Sequence, residues 1–253
     1  MTFAQLLPHL IRGGKWLIPK MFEAERERRG PSFWKKLALL YAGNIKYANE
    51  YVRVSAAYLF RIKIDGRYLL IQGRRIQQYQ PVGGVYKYFG DAVHELFTKL
   101  DVRDDDLVPI DDNSRDDLRV RLPGKNLIGF LNWFTSEQGR EVTQDREFYE
   151  ELVAPAFLSS AFSHVTPRYL YTVWQPLTYS PYCQARELMV YQVYDLRLTP
   201  VQEAELRALA LPESGALRWV TEAEIKRLGA DQLAHADSFR IGQHARFLLS
   251  PKG

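Results

Sequence analysis

One cysteine, Cys183, in 253 residues leaves no partner for an internal disulfide and excludes a zinc site built on cysteines, which suits a reducing compartment. Histidine is scarce too, with 5, and His94 and His164 are not linked by zinc-ligand spacing, so both are expected to be structural. No apolar run reaches the roughly 18 residues that span a bilayer, and the N-terminus has no charged-then-apolar signal with a small-residue cleavage site. The expectation is a soluble, cytoplasmic protein without an integral membrane segment. There is no internal repeat and no low-complexity segment. Charge of one sign is also lacking: 34 basic against 30 acidic residues give a net charge of +4 and a pI near 9.0. That balance argues against a nucleic-acid footprint and for attraction to a phosphate-bearing small molecule.

What is present is an ordinary globular composition, 46% hydrophobic and 25% charged, enough for one large core with a small appended unit. Residues 1–49 are expected to form a helical extension, interrupted at Gly13-Gly14, Pro19 and Gly30-Pro31, with Ser32 as a cap before "FWKKLALLYAGNIKYANEY". The extension is basic and amphipathic, features that suit a membrane surface or a packed partner. Its Phe33, Trp34 and Tyr41 favour packing on the core or on a second copy.

Residues 50–253 read as an α/β unit. "YVRVSAAYLFRIKIDGRYLLIQGRR" holds two β-rich runs joined at Asp65-Gly66, a dipeptide suited to a type I′ hairpin turn. "IQQYQPVGGVYKYFG" follows, where Gly83-Gly84 permits either a plain turn or close backbone approach to a ligand. "DAVHELFTKL", "DDLRVRLPG" and "KNLIGFLNWFTSE" predict a helix, a strand and a helix; in the last, Leu127, Phe130, Leu131 and Phe134 make an apolar stripe that must be covered. Strands are predicted at "TPRYLYTVWQPL" and "RELMVYQVYDLRL". "LRWVTEAEIKRLG" predicts a strand running into a helix capped by Thr221 with Glu224 at its third position. A last helix is expected from about Ser238 to Leu249.

"DREFYEELVAP" carries the chemistry. With Thr143 as N-cap, Glu147, Glu150 and Glu151 share one helix face, where like charges repel by roughly 0.2–0.5 kcal/mol per pair. Two arrangements relieve that repulsion. Arg146 pairs with Glu150 while water solvates the rest, or a divalent cation binds the face.

The order of these segments resembles the Nudix hydrolase domain. The signature box of that family runs Gly, five residues, Glu, seven residues, then Arg-Glu-apolar-x-Glu-Glu-x-Gly. "REFYEEL" matches its second half at Arg146, Glu147, Phe148, Glu150 and Glu151, and Gly83 and Gly84 match the glycines that open it. Here the halves are separated by more than fifty residues, Gly90 stands where the box glutamate would fall, and Leu152-Val153-Ala154 lacks the closing glycine. This split form, with "GGVYKY", "DDLRVRLPGKNLIGFLNWF" and "GREVTQDREFYEEL" in order, resembles the SMODS-associated Nudix domains of bacterial antiphage systems, encoded near nucleotidyltransferases. It covers roughly Val52 to Leu249.

The resemblance implies an α/β/α sandwich with a mixed sheet, a folded insertion at about 91–140, and Mg2+ or Mn2+ held by Glu147, Glu150, Glu151 and the Gly84 carbonyl. Phe148 and Leu152, four residues apart on another face, should bury that helix against the sheet. Arg146 would brace a carboxylate through its fixed fork. Arg74, Arg75 and Lys87 flank the glycines as candidate phosphate contacts. Glu187 is a candidate distal ligand or base, with a solvated strand-end carboxylate as the plainer reading. Tyr86, Tyr88 and Trp133 are better suited to core packing than to stacking on a base. Two functions fit: a metal-dependent hydrolase of a nucleotide or nucleoside-diphosphate derivative, or a nucleotide-binding module of the same fold without turnover. A homodimer involving the leader helices and a functional link to a nucleotidyltransferase complete the expectations.

Overall fold

The computed structural model describes residues 29–73, 76–106, 115–209, 215–229 and 239–249. The leader through residue 28, and Arg74 and Arg75, lie outside the described residues. In chain order the elements are α1 (Phe33–Tyr41, continued by a π turn Ala42–Lys46), β1 (Tyr51–Arg61), β2 (Lys63–Ile64), β3 (Arg67–Gln72), β4 (Tyr79–Gln80), β5 (Gly83–Val85), α2 (Asp91–Lys99), β6 (Arg103–Asp104), β7 (Arg119–Pro123) and α3 (Leu127–Ser136). There follow α4 (Asp145–Phe148, continued by a π turn Tyr149–Val153), β8 (Pro167–Trp174), β9 (Thr178–Ser180), β10 (Ala185–Leu196), α5 (Pro200–Ala208), β11 (Leu217–Thr221) and α6 (Glu222–Arg227).

The α/β class and the mixed sheet stand. β1 is the centre of a seven-stranded sheet ordered β6-β7-β1-β10-β8, with β5 also on β1 and β9 on β10. It pairs in parallel with β10 from Val52↔Arg186 to Arg61↔Asp195, whereas β7 and β5 lie antiparallel, end to end, along its other edge. Every residue from Val52 to Phe60 is buried, the mark of a strand covered on both faces. A second, four-stranded sheet runs β11-β3-β2 with β4 on β3.

The Asp65-Gly66 turn has the expected form, with φ of 47° and 81° at its two central residues. The hairpin it closes is short, however: only β2 pairs back on β3, and the long β1 belongs to the other sheet.

The predicted helix and strand segments between residues 91 and 140 are folded as α2, β7 and α3. The α3 stripe is spent on the chain's own core: Leu127, Phe130, Leu131 and Phe134 are all buried, so it needs no second copy to cover it. Tyr86, Tyr88 and Trp133 are core residues as well.

Other details differ from expectation. Ser32 precedes α1 without a side-chain cap bond, and the α1 residues Phe33 and Trp34 are 72% and 75% exposed. The C-terminal helix is one 3₁₀ segment, Gln243–Leu248, with residues 239–242 before it non-helical; Ser238 lies outside the described residues. The Thr221/Glu224 capping box is formed. A second, Thr199 with Gln202, starts α5, a helix absent from the sequence reading.

Candidate functional site

The glycine strand and the glutamate helix, more than sixty positions apart at Gly83 and Glu151, meet in space. β5 is held on β1 by Leu59↔Gly83 and Tyr58↔Gly84. The helix is pinned over the same strand by Phe148, whose ring packs 5.2 Å from Phe60, and by Leu152; both are buried. Burying such side chains contributes roughly 1.5–3 kcal/mol each, so the position of the carboxylates is set by apolar packing behind them.

Two contacts join the halves. Gly83 N–H donates to a Glu151 carboxylate oxygen at 3.1 Å. At Gly84 an added Cβ would fall inside the Glu147 side chain, so only a residue without one leaves room. Gly83 is constrained too: its φ is +151° and a Cβ there would strike the Tyr58 carbonyl.

The three glutamates differ in exposure. The helix has four α-helical residues and then widens into a π turn, closed by Ala154 N–H to the Tyr149 carbonyl at 2.8 Å. The Glu150 side chain is 47% exposed, while Glu151 is buried and accepts from Gly83 N–H. The cap is Gln144 rather than Thr143, without a side-chain bond.

Arg146 runs through the cluster. It meets Glu147 at 2.6 Å, Glu141 at 3.2 Å and Glu150 at 3.8 Å, and donates to the Val85 carbonyl at 3.2 Å. Even so, burial holds the Glu147 carboxyl above the usual carboxylate range; Arg146 opposes the shift, and the charges of Glu150 and Asp117 add to it. Asp117 is itself raised by burial, against the pull of Arg119 and Lys87.

Glu141 and Asp117 are the members that sequence reading did not single out. Glu141 N–H donates to the Lys87 carbonyl at 2.7 Å and its carboxylate accepts from Lys87 N–H at 3.3 Å; it stands five residues before Arg146, at no helical spacing. Behind it Arg140 is 2% exposed; it donates to the Phe134 and Glu141 carbonyls and lies over the Tyr86 and Phe134 rings. Only the fold marks these as one unit.

Of the other candidates, Lys87 directs its ammonium to the Arg115 carbonyl at 2.7 Å and to Asp117 at 3.8 Å, bracing the strand end beside the cluster. Glu187 is neither near the helix nor merely solvated. It pairs with the buried Arg53 at 2.8 Å, opposite that residue on β1, and Arg53 also binds Asp105 at 2.7 Å. Five strand positions separate Arg53 from Tyr58, the partner of Gly84, a span of about 16 Å. Gly90, at φ +94°, is the N-cap of α2 and a backbone punctuation point. His94 and His164 are exposed.

The sequence profile of the SMODS-associated NUDIX domain matches residues 51–249. The chain belongs to that family. Comparison with curated proteins returns no match. Membership supports a nucleotide-related hydrolase, or a related module, in an antiphage system, with a link to a SMODS nucleotidyltransferase. The matched region includes both Gly83-Gly84 and the Arg146–Glu151 helix.

The side-chain donors suit a hard divalent cation: carboxylates, no sulfur or imidazole, and at Glu147 a carboxylate whose negative charge is under-compensated. Among the described residues, no three acidic, histidine or cysteine side chains already converge on one point, since Arg146 stands between Glu147 and Glu150. No helix among the described residues is long and apolar enough to cross a membrane.

Proposed function

We propose that this SMODS-associated Nudix protein hydrolyses a phosphoanhydride of a nucleotide or nucleoside-diphosphate derivative with Mg2+ or Mn2+, Glu147, Glu150, Glu151 and the Gly84 carbonyl being the residues that would hold the ion. The observation that carries the reading is the contact of Gly83-Gly84 with Glu151 and Glu147. When bound, such an ion neutralises phosphate charge and makes water more acidic.

The chain's own residues supply the rest. Gly83 N–H orients the Glu151 carboxylate, and the bare Gly84 leaves Glu147 its place. Arg146 tethers the helix to Val85 and Glu141, while Phe148 and Leu152 hold it on the sheet. Lys87 and Asp117 fix the strand end at the rim. Cleavage is attack of water at phosphorus with departure of the bridging oxygen, and the proton passes to solvent or to a carboxylate of the cluster.

A second reading, a nucleotide-binding module without turnover, is favoured by Gly90 at the position of the box glutamate. The two separate in one experiment. Nucleoside-diphosphate derivatives are incubated with full-length protein and Mn2+, and both products and bound ligand are measured. Cleavage that disappears in Glu151→Gln supports the hydrolase; a tightly bound ligand that stays intact for hours supports the module. In Glu151→Gln the amide oxygen still accepts from Gly83, so the fold should persist while Mn2+ affinity falls at least tenfold. The exposed apolar face of α1 supports a homodimer in which the leader takes part.

A further inference from the structure

A cleft lies on the sheet face away from the glutamate helix. On β1, Phe60 points to the face where Phe148 packs, whereas Leu59 belongs to a separate apolar cluster with Tyr68, Leu70, Val193 and Val220. At the margin of that cluster, between the end of β1, the β2/β3 hairpin, β8, α6 and the C-terminal 3₁₀ turn, lies a cleft of about 450 Å³, within the range for small ligands.

Among the described residues, four cations line it, Arg61, Lys63, Lys226 and Arg246, against a single lining carboxylate, Glu222. Glu222 is already paired with Lys226 at 2.5 Å. Asp195, which meets Arg61 at 3.1 Å, is shared with Arg168 at 2.7 Å, so one carboxylate serves two guanidiniums. The Arg61 Nε is buried without an acceptor. Lys63 lies over the Tyr68 ring, 5.1 Å from its centroid, and Arg246 donates only to the Lys226 carbonyl among the bonds assigned to it. Excess positive charge therefore gathers at one cleft of a chain whose net charge is only +4.

The walls are aromatic. Tyr68, Tyr171 and Phe247 line the cleft; Tyr68 is buried beneath Lys63, whereas Tyr171 and Phe247 are half-buried, and the Tyr171 hydroxyl donates to the Phe247 carbonyl at 2.7 Å, which leaves the Tyr171 and Phe247 rings rather than a hydroxyl for a ligand. Flat rings beside several cations match a planar base carrying phosphates: the rings take the base by stacking, the guanidinium and ammonium groups take the phosphates.

We propose that this cleft is a second binding site, for a nucleotide, separate from the metal-binding helix and independent of whether that helix is catalytic. Full-length protein in EDTA is titrated calorimetrically with ADP, adenosine and inorganic pyrophosphate. The expected result is ADP binding at least tenfold tighter than either fragment, lost by tenfold or more in Lys63→Glu/Arg246→Glu, reduced to a smaller extent in Lys63→Gln/Arg246→Gln, and unchanged within twofold in Glu147→Gln/Glu151→Gln. Both cleft positions are exposed, and a melting temperature within a few degrees of wild type verifies that each variant is folded. Failure of ADP to bind, equal ADP affinity in wild type and the charge-reversed variant, or pyrophosphate binding as tight as ADP each overturns the proposal. Loss of binding in the glutamate variant alone also overturns it, by assigning the nucleotide to the helix.

Discussion

Replacing Gly84 by alanine probes the junction of the two box halves directly. The added methyl group would overlap the Cγ, Cδ and Oε1 atoms of Glu147, not merely the tip of the side chain, so the whole glutamate must swing away or the helix must move. The helix is anchored by the buried Phe148 and Leu152, and displacing Glu147 sacrifices its 2.6 Å bond to Arg146. Overpacking of this kind costs about 1–3 kcal/mol. At roughly 2–4 °C per kcal/mol for a chain of this size, the melting temperature should fall by about 2–12 °C. Truncating the obstacle should restore much of the loss, so Gly84→Ala, Glu147→Ala and the double variant form a cycle with a coupling of about 1–2 kcal/mol, read by urea denaturation without metal. Effects that add within about 0.3 kcal/mol would show that the two residues do not touch, and the reassembled box would be wrong.

Two other outcomes are expected. Because burial raises the Glu147 carboxyl above its unfolded value, the folded state holds its proton more tightly; the associated stability is present below the unfolded pKa and lost as pH rises through the folded one. Metal-free Glu147→Gln, which carries no such charge, should gain stability relative to wild type as pH increases from about 4 to 7, and a difference that is flat with pH, or that shrinks, contradicts the burial argument. In sedimentation the full-length protein should be dimeric at micromolar concentration and Trp34→Glu/Leu37→Glu, on the exposed face of α1, should be monomeric; a monomeric wild type removes the dimer, and a dimeric variant removes α1 from its interface.

Features that depend on neighbours within one turn of chain are legible in the sequence. Asp65-Gly66 dictated its turn because the two residues tolerate positive φ; Thr221 and Glu224 marked a helix start by reciprocal bonds three residues apart; Phe148 and Leu152 declared the buried side of the glutamate helix. Thr199 and Gln202 carried the same local signal for α5, and it was overlooked. Tertiary structure decided whatever depends on residues remote in sequence. β1 pairs in parallel with β10, from Val52↔Arg186 onward, across more than a hundred residues of chain, a choice no local period encodes. Packing of Phe148 on Phe60 brings Gly84 against Glu147, and Arg140 places Glu141 beside Arg146. The π turn at Tyr149–Val153, the burial of Glu151 beside Gly83 and the half-exposure of Glu150 are equally invisible to local spacing. Charges at Glu147 and Asp117 become a site only when burial strips away the water that solvates them in the open chain.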